Sequence, residues 1–450
     1  MKVAKFGGSS VADANMLKKV ANILKEDLDR KFVVVSAPGK RSKDDVKVTD
    51  LFIQLGNEYN SGQNYGETLS EISSRFLSIT TELNLNSELV HRIKSESERL
   101  LKETTNTWHL MDALKAMGED SLARILSAYL NTLGVEASYV NPKDAGIIVS
   151  DEPGSAQVLE KSYQEIYKLR ERKGVQVIPG FYGYSDSGLL TTFPRGGSDI
   201  TGSIIAAGVQ ADLYENFTDV SSVYCVNPTI VNQPKEIRSL TYKEMRELSY
   251  AGFGVFHDEA LIPAFKKNIP VCIKNTNAPN APGTMIVSEK VDNNQPVVGI
   301  ASDTGFSSIY VRKYLMNREI GFGKTLLGIL VEEDISFEHA PSGIDDMSVI
   351  VRTDQLTLEK KKWLSQRIKS ELQADTVSIM DGLAMIMLVG EGMSRRLNVA
   401  AKATKAFVDG EVNIDMINQG SSEVSMMFGI HADQLPQAVQ SLYNEFFVND

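Results

Sequence analysis

Residues 2–10, Lys2-Val3-Ala4-Lys5-Phe6-Gly7-Gly8-Ser9-Ser10, decide the fold. Residues 2–6 alternate and predict a strand. Beyond the glycines and serines, Leu17, Val20, Ala21, Leu24 and Leu28 keep helical spacing from Val11 to Leu28. Ser9 or Ser10 is placed to cap that helix, with Asp13 favourable in its first turn. Phe32-Val33-Val34-Val35 is an unbroken apolar run, as in a strand buried on both faces. The chain therefore opens as a β-loop-α-β unit of a parallel sheet. In such a turn, glycine amides approach an anion closely, the helix start adds partial positive charge, and Lys5 supplies a point charge. A tight turn with a solvated lysine would have the same sequence. The turn is no Walker A loop, which needs GxxxxGK[ST].

The remaining sequence supports an α/β protein. Its 450 residues suggest about three domains at roughly 150 residues each. With 42% hydrophobic and 23% charged residues it can bury a sizeable core. The 47 basic and 58 acidic residues give a net charge of -11, which argues against a nucleic-acid binder. Small phosphorylated ligands need only local positive charge and stay open. Cys225 and Cys272 are far apart, so neither a disulfide framework nor a zinc site is expected, and both read as buried small hydrophobes. No apolar run approaches the ~18–20 residues of a membrane span, and the charged N-terminus lacks a signal-peptide core; a cytoplasmic protein is expected.

Residues 41–130 are helical in pattern and read as a helical layer or lid. Strands are predicted at 175–179, 213–217 and 271–273, and helices at 199–209 and 241–267. The polar segment 289–296 is the expected boundary. After it an internal repeat appears. Residues 334–343, Asp-Ile-Ser-Phe-Glu-His-Ala-Pro-Ser-Gly, parallel residues 411–420, Glu-Val-Asn-Ile-Asp-Met-Ile-Asn-Gln-Gly. Each copy follows a helical stretch and precedes an apolar strand (347–351 and 424–430), so each is expected to be a small βαββ unit. Gly323-Lys324-Thr325 imitates the end of a Walker A loop, but Arg318 stands where its first glycine belongs; it is expected to start a helix.

Several further residues could carry chemistry. Arg195-Gly196-Gly197-Ser198-Asp199 offers a planar fork for a carboxylate, a second anion nest, and an acid to orient Lys5 or a metal; on spacing alone, a capped helix with a surface arginine explains it equally well. Glu119, in Met117-Gly118-Glu119-Asp120-Ser121, could take a substrate ammonium or simply open a helix. Thr218-Asp219, with Tyr224 nearby, closes a strand, the edge where α/β proteins bind ligands, but also suits a plain turn. The five histidines, His91, His109, His257, His339 and His431, are scattered and form no HExxH pair, and no GxSxG elbow is present.

Taken in order, these motifs carry a resemblance. Lys5-Phe6-Gly7-Gly8-Ser9-Ser10, Val34-Val35-Ser36-Ala37, Thr49-Asp50, Gly118-Glu119, Pro179-Gly180-Phe181, Arg195-Gly196-Gly197-Ser198-Asp199 and Thr218-Asp219 lead to Pro270, Asn275-Thr276, Pro282-Gly283-Thr284, Asn413-Ile414-Asp415-Met416-Ile417 and Gln419-Gly420-Ser421-Ser422-Glu423. The chain closely resembles the monofunctional aspartokinases over essentially its whole length. The resemblance implies an amino-acid kinase α/β/α sandwich over residues 1–293, then two ferredoxin-like βαββ (ACT) units at 305–375 and 376–450, the second joined by strand 296–303.

It also implies ATP-dependent phosphorylation of the L-aspartate β-carboxylate, the entry to lysine, threonine and methionine. Lys5 and Asp199 would be the catalytic pair, with Gly7 and Gly8 cradling phosphate. Ser36, Thr49, Glu119, Arg195, Gly197 and Ser198 would bind substrate. Ser9, Thr218, Asp219 and Tyr224 would bind nucleotide, and Mg²⁺ would arrive with ATP, without a metal site on the protein. The regulatory set would be Met316, Phe322, Ser336, Phe337, Glu338, Ser342, Asn413, Ile414 and Asp415. Acidity at Glu338, Asp345 and Asp346 favours lysine, alone or with threonine, as effector. Paired ACT sheets imply a homodimer or a dimer of dimers.

Two departures stand on the nucleotide side. The family's Asp-Pro-Arg reads Asn227-Pro228-Thr229, and its Ala-Lys-Val-Leu-His-Pro reads Phe253-Gly254-Val255-Phe256-His257-Asp258. Basic groups are thus missing at Thr229 and Gly254, leaving Lys274 or backbone amides to hold phosphate. The alternatives are another amino-acid kinase, such as a glutamate or acetylglutamate kinase, which lacks the paired C-terminal module, and a catalytically silent amino-acid sensor. A kinase fused to a dehydrogenase is not expected from the length.

Overall fold

The architecture follows from the opening strand. β1 (Lys2–Phe6) pairs in parallel with β2 (Arg30–Val35), and α1 (Ala14–Glu26) crosses between them. The computed structural model describes residues 1–254, 259–290, 295–420 and 424–448, apart from the side chain of Ser394. The expected features at 255–258 (with His257), 291–294 and 421–423 lie outside the described residues. One expectation changes at α1. Its N-cap is Asp13, whose carboxylate accepts from the Met16 amide at 2.9 Å, while Gly8–Val11 form a separate 3-10 turn. Asp13 sits one residue before the apolar helical face and captures the cap from Ser9 and Ser10.

After β2 come the helices α2 (Val48–Asn60), α3 (Gly66–Glu82), α4 (Glu88–Glu103) and α5 (Thr107–Thr132), the helical layer that residues 41–130 predict. The chain continues through β3 (Ala137–Tyr139), α6 (Pro142–Ala145), α7 (Lys161–Tyr167), β4 (Val175–Pro179), the hairpin β5 (Tyr182–Tyr184) and β6 (Leu190–Thr192), α8 (Gly197–Gly208) and β7 (Leu213–Thr218). The short strands β8 (Val223–Tyr224) and β9 (Glu236–Ile237) precede β10 (Ser239–Thr241). The expected helix over 241–267 is two separate helices, α9 (Tyr242–Tyr250) and α10 (Ile262–Lys266). β11 (Val271–Asn275) and β12 (Thr284–Val287) complete an eight-stranded sheet ordered β10-β12-β11-β7-β1-β2-β4-β3.

β1 lies centrally, with β2 on one side and β7 on the other, so loops leaving its C-terminal end open into a crevice at the point where strand order reverses. One face of the sheet (Ala4, Phe6, Val33, Val35, Phe217) packs against the helical layer. The other carries α8, most of which is buried. A buried ion pair ties three central elements together. Arg30 Nε lies 2.6 Å and Nη2 3.1 Å from Glu215, and Nη1 donates to the Ile23 carbonyl at 2.6 Å.

β13 (Gly299–Arg312), α11 (Phe322–Glu332), β14 (Phe337–His339), β15 (Asp346–Arg352) and α12 (Leu358–Glu371) form the first repeat; β16 (Thr376–Val389), α13 (Val399–Asp409), β17 (Met416–Gln419), β18 (Ser425–His431) and α14 (Leu435–Tyr443) form the second. All six strands join one antiparallel sheet, β14-β15-β13-β16-β18-β17, so the repeats share β13 and β16 along their length. The 299–304 half of β13 pairs only with β16, while its 306–312 half also pairs with β15. The helices of the first repeat pack on Ile309, Val311, Val349 and Val351. The chain divides into two compact units. One unit comprises residues 1–223, 236–245 and 255–290, and the other residues 224–235, 246–254 and 291–450. Among the described residues, no helix is long and apolar enough to cross a membrane.

Removing one partner of a buried ion pair leaves an uncompensated charge, which costs about 3–5 kcal/mol. Glu215→Leu should therefore shift the chemical denaturation of the first unit by about that amount, and Arg30→Met/Glu215→Leu should recover most of it. A single variant as stable as the parent would show that the pair does not hold the central strands.

Candidate active site

The site is built where β1, β2 and β7 end and α8 begins. Side chains alternate along β1, so Phe6 goes to the helical layer, where its ring stacks on Phe217, and Lys5 goes to the α8 face. There the Lys5 ammonium lies 2.6 Å from Asp199 Oδ1, with only 7% of the lysine side chain exposed. Asp199 is held in turn. Asn216 Nδ2 donates to its Oδ1 at 2.6 Å, and the Tyr214 hydroxyl donates to its carbonyl at 3.2 Å. Asn216 is paired with Lys5 in the strand register and is buried. Sequence reasoning missed Asn216 and Tyr214. Their only signal was alternation along 213–217, which puts residues 214 and 216 on the Lys5 face.

The glycine turn differs from expectation in one donor. Gly7 N–H is spent on the Phe217 carbonyl at 3.0 Å, extending the β1–β7 ladder, so it is not available to an anion. Gly8 and Ser9, which open the 3-10 turn, have amides with no backbone acceptor among the described residues, so they are the donors of this turn left for an anion. Ser9 is exposed, whereas Ser10 is structural: its hydroxyl accepts from Thr276 Oγ1 at 2.6 Å. The strap after β2 crosses this turn, with Gly39 N–H donating to the Gly8 carbonyl at 2.9 Å and Ser36 N–H to the Phe6 carbonyl at 3.1 Å. Thr49 sits in the first turn of α2, half-buried.

Glu119 comes from the middle of α5 rather than a helix start. A Cβ on its neighbour Gly118 would lie 2.6 Å from Ala37 Cβ, so only glycine lets α5 approach the end of β2 this closely. Glu119 is 4% exposed, and its Oε2 has no hydrogen-bond partner. Burial pushes its carboxyl up to about 8, against the downward pull of the Ala37 amide and the Lys5 charge. A buried acid with an unpaired oxygen is electrostatically suited to receive a cation.

Arg195 is exposed and has no hydrogen-bond or ion-pair partner among the described residues. It precedes α8, where Gly197 and Ser198 are buried beside Asp199. Phe181 stands in the sequence motif without an expected role. It adopts φ 80°, unusual for a bulky residue, and its ring lies 2.5 Å from where a Cβ on Gly197 would stand. Its amide donates to Thr201 Oγ1 at 2.9 Å, so α8 holds the strained turn in place. Thr192, three residues before Arg195, keeps a buried hydroxyl without a partner.

On the other flank, Thr218 closes β7 and donates to Asp219 Oδ1 at 3.0 Å; Asp219 is exposed. Tyr224 and Thr229 belong to the second compact unit, and Thr229 bonds Asn227 Oδ1 through its amide and hydroxyl. Lys274 does not stand in for the missing bases on the Lys5 face. Its strand parity places it with Phe217 and Glu215, and its ammonium lies 3.9 Å from Glu215. No group of three or more His, Cys, Asp or Glu that could hold a metal occurs among the described residues.

The regulatory residues separate into two sets. Met316 and Phe322 are buried in the core of the first repeat, and Ser336 bonds Gln355 through its amide and hydroxyl. Glu338 accepts from the Tyr250 hydroxyl and lies 3.5 Å from Arg352 Nε, so it is not a free acid. Asp345 accepts from the Leu315 amide. Phe337 is exposed, as is Asn413, which bonds Asp415, and Ile414 is half-buried. Ser342 and Asp415, with Asp346, Asp381 and His431, line a hollow of about 920 Å³ on the sheet face.

Similarity to known proteins agrees with this geometry. Residues 1–275 match the amino acid kinase family and residues 386–446 an ACT domain. The chain is 54% identical to Aspartokinase 3 of Bacillus subtilis over 448 residues, 99% of both chains. The aspartate kinase of Clostridium acetobutylicum superposes with a TM-score of 0.89 at 38% identity, over 99% of this chain and 100% of that one. Escherichia coli aspartokinase III superposes with a TM-score of 0.80 at 25% identity, both bound to aspartate and ADP (R-state) and bound to lysine and aspartate (T-state); each match covers 99% of this chain, with 100% and 99% of the respective structures.

Because burial dominates at Glu119, difference infrared spectroscopy of the ligand-free protein should show a carboxyl that ionises near pH 8 and disappears in Glu119→Gln. A spectrum with every carboxyl ionised by pH 6 would contradict the site's electrostatics.

Proposed function

The chain belongs to the aspartokinases, amino acid kinases with a C-terminal ACT region, and from that premise we propose how its residues do the work of the family. The protein transfers the γ-phosphoryl group of ATP to the L-aspartate β-carboxylate, giving 4-phospho-L-aspartate and ADP, and is regulated allosterically through its ACT region. That reaction opens the route to lysine, threonine and methionine.

The aspartate β-carboxylate has a pKa near ~4 and is ionised at neutral pH, so no general base is needed. One carboxylate oxygen forms a bond to the γ-phosphorus. The bond to the β,γ-bridging oxygen breaks, and its electron pair leaves with ADP. Catalysis is then alignment plus stabilisation of charge spread over three phosphoryl oxygens. Lys5 supplies the fixed cation, Asp199 and Asn216 fix its position, and the Gly8 and Ser9 amides with the α8 N-terminus supply the remaining donors. Asp199 is already committed to Lys5 and Asn216, so Mg²⁺ would be carried by the nucleotide phosphates, where it would neutralise charge.

Glu119 takes the substrate ammonium and Arg195 the α-carboxylate, with Ser36, Thr49, Gly197 and Ser198 completing the pocket. Thr218, Asp219 and Ser9 contact the nucleotide. The observation that carries this assignment is the juxtaposition of a paired Lys5–Asp199 with an unpaired, buried Glu119. Trapping the product with hydroxylamine tests the reaction: hydroxamate should form with aspartate and ATP, and not with glutamate or without substrate.

For regulation, lysine is the effector the residues favour. The hollow on the regulatory sheet gathers Asp346 and Asp415, carboxylates suited to an ammonium group, beside an Asp381 already paired with Lys361, and the related Escherichia coli enzyme has been solved with lysine. The same unit exposes Phe337, Ile344, Met380 and Ile417, an apolar surface that suits a homodimer.

Lys5→Ala should keep the fold and lose at least about 100-fold in kcat, with Asn216→Ala losing about tenfold while aspartate KM stays within about twofold. Arg195→Ala should raise aspartate KM about 10- to 100-fold. In the parent, aspartate KM should rise as pH falls below about 8, because Glu119 must shed its proton before it pairs with an ammonium; Glu119→Gln should lose that dependence. Unchanged turnover in Lys5→Ala, or unchanged aspartate dependence in Arg195→Ala, would remove that residue from its role. Lysine should inhibit and Asp415→Asn should weaken that inhibition; indifference to lysine, threonine and both together would contradict the regulatory assignment.

A further inference from the structure

Helices α4 and α5 do not close on each other along their full length. Between them and the β5–β6 hairpin lies a cavity of about 310 Å³, at the small end of the range of about 300–1,000 Å³ for small-molecule sites. It is separate from the substrate pocket. Met117, Asp120 and Arg124 of α5 line it, while Gly118 meets Ala37 on another side of the same helix and Glu119 is not part of the lining.

The charges on its wall are unequal in what they still lack. Asp120 accepts from Arg124 at 2.8 Å, from Tyr182 at 3.2 Å and from Tyr139. Glu96 is held by Arg99 at 2.5 Å. The acids of the wall are thus satisfied. Arg92 has no hydrogen-bond or ion-pair partner among the described residues, and the Nδ1 atom of His109 is buried without one. A buried polar atom without a partner is uncommon and costs about 1–3 kcal/mol. Three residues join α4 to α5, so the two helices run antiparallel. Arg92, near the start of α4, therefore lies toward Arg124, and His109 lies at the opposite end. Between these ends Ile93 and Met117 supply an apolar stretch.

We propose that this cavity is a second ligand site for a small amphipathic carboxylate. Its anionic head lies at the Arg92–Arg124 end, its apolar body along Ile93 and Met117, and a hydrogen-bonding tail reaches His109. Aspartate does not fit the description, since it has no apolar body and carries an ammonium for which this wall has no unpaired acid.

Isothermal titration of the full-length protein with 3-(4-hydroxyphenyl)propionate tests the site. One saturable site per chain is expected, retained in saturating aspartate. Binding should weaken about tenfold in Arg92→Ala and vanish in Ala113→Trp, which fills the cavity, and tyramine, the cationic counterpart, should not bind. Arg92 is exposed, so its variant folds even if the filled one does not, and kcat should be unchanged in it. Absence of saturable binding, equal affinity in Arg92→Ala, or displacement by aspartate would each overturn the proposal.

Discussion

The Lys5–Asp199 ion pair is the contact on which the catalytic unit depends. A buried ammonium is tolerated only when its charge is met, and at this depth that requires an acid within direct reach. The acid comes from the first turn of α8, and its orientation comes from Asn216 on β7. The pair can form only if β1, β7 and α8 hold one relative placement, with Lys5 opposite Asn216 in the register. The same register consumes the Gly7 amide in the ladder and hands the anion site to Gly8 and Ser9. Glu119 approaches from a third direction, a buried acid with one oxygen left without a partner.

Much of this was legible in the sequence, because two periodicities carry it. The alternation of residues 2–6 and the apolar run at 32–35 fix the parallel strands, and helical spacing fixes α1. What was not legible is where local signals compete. Ser9, Ser10 and Asp13 are all good caps, and only the start of the packed helical face selects Asp13. The 241–267 stretch has apolar residues at helical spacing, but Gly252, at φ 108°, follows the end of α9 at Tyr250, and Pro263 sits in the first turn of α10. Asn216 and Phe181 had no visible chemistry: the first works by lying beside Lys5 in the folded sheet, the second through a left-handed backbone turn that no composition encodes. Glu338 looked available as an effector ligand because Tyr250 and Arg352, its partners, are distant in sequence.

In the regulatory unit the repeats form one sheet, and that constrains how an effector acts. β13 and β16 are fourteen-residue strands that run through both halves. Inhibition requires that the effector bind two arrangements of this sheet unequally.

In the proposed reaction this buried arrangement aligns a carboxylate oxygen of aspartate on the γ-phosphorus. Following the oxygen tests it most directly. Aspartate labelled with ¹⁸O in its β-carboxylate is turned over with ATP in hydroxylamine, which attacks the acyl carbon and expels phosphate with the bridging oxygen. One ¹⁸O is expected in the released phosphate, none from α-labelled aspartate, and with Lys5→Ala its rate of release should fall at least about 100-fold. Phosphate free of β-carboxylate oxygen, formed at the full rate of ATP consumption, would contradict it.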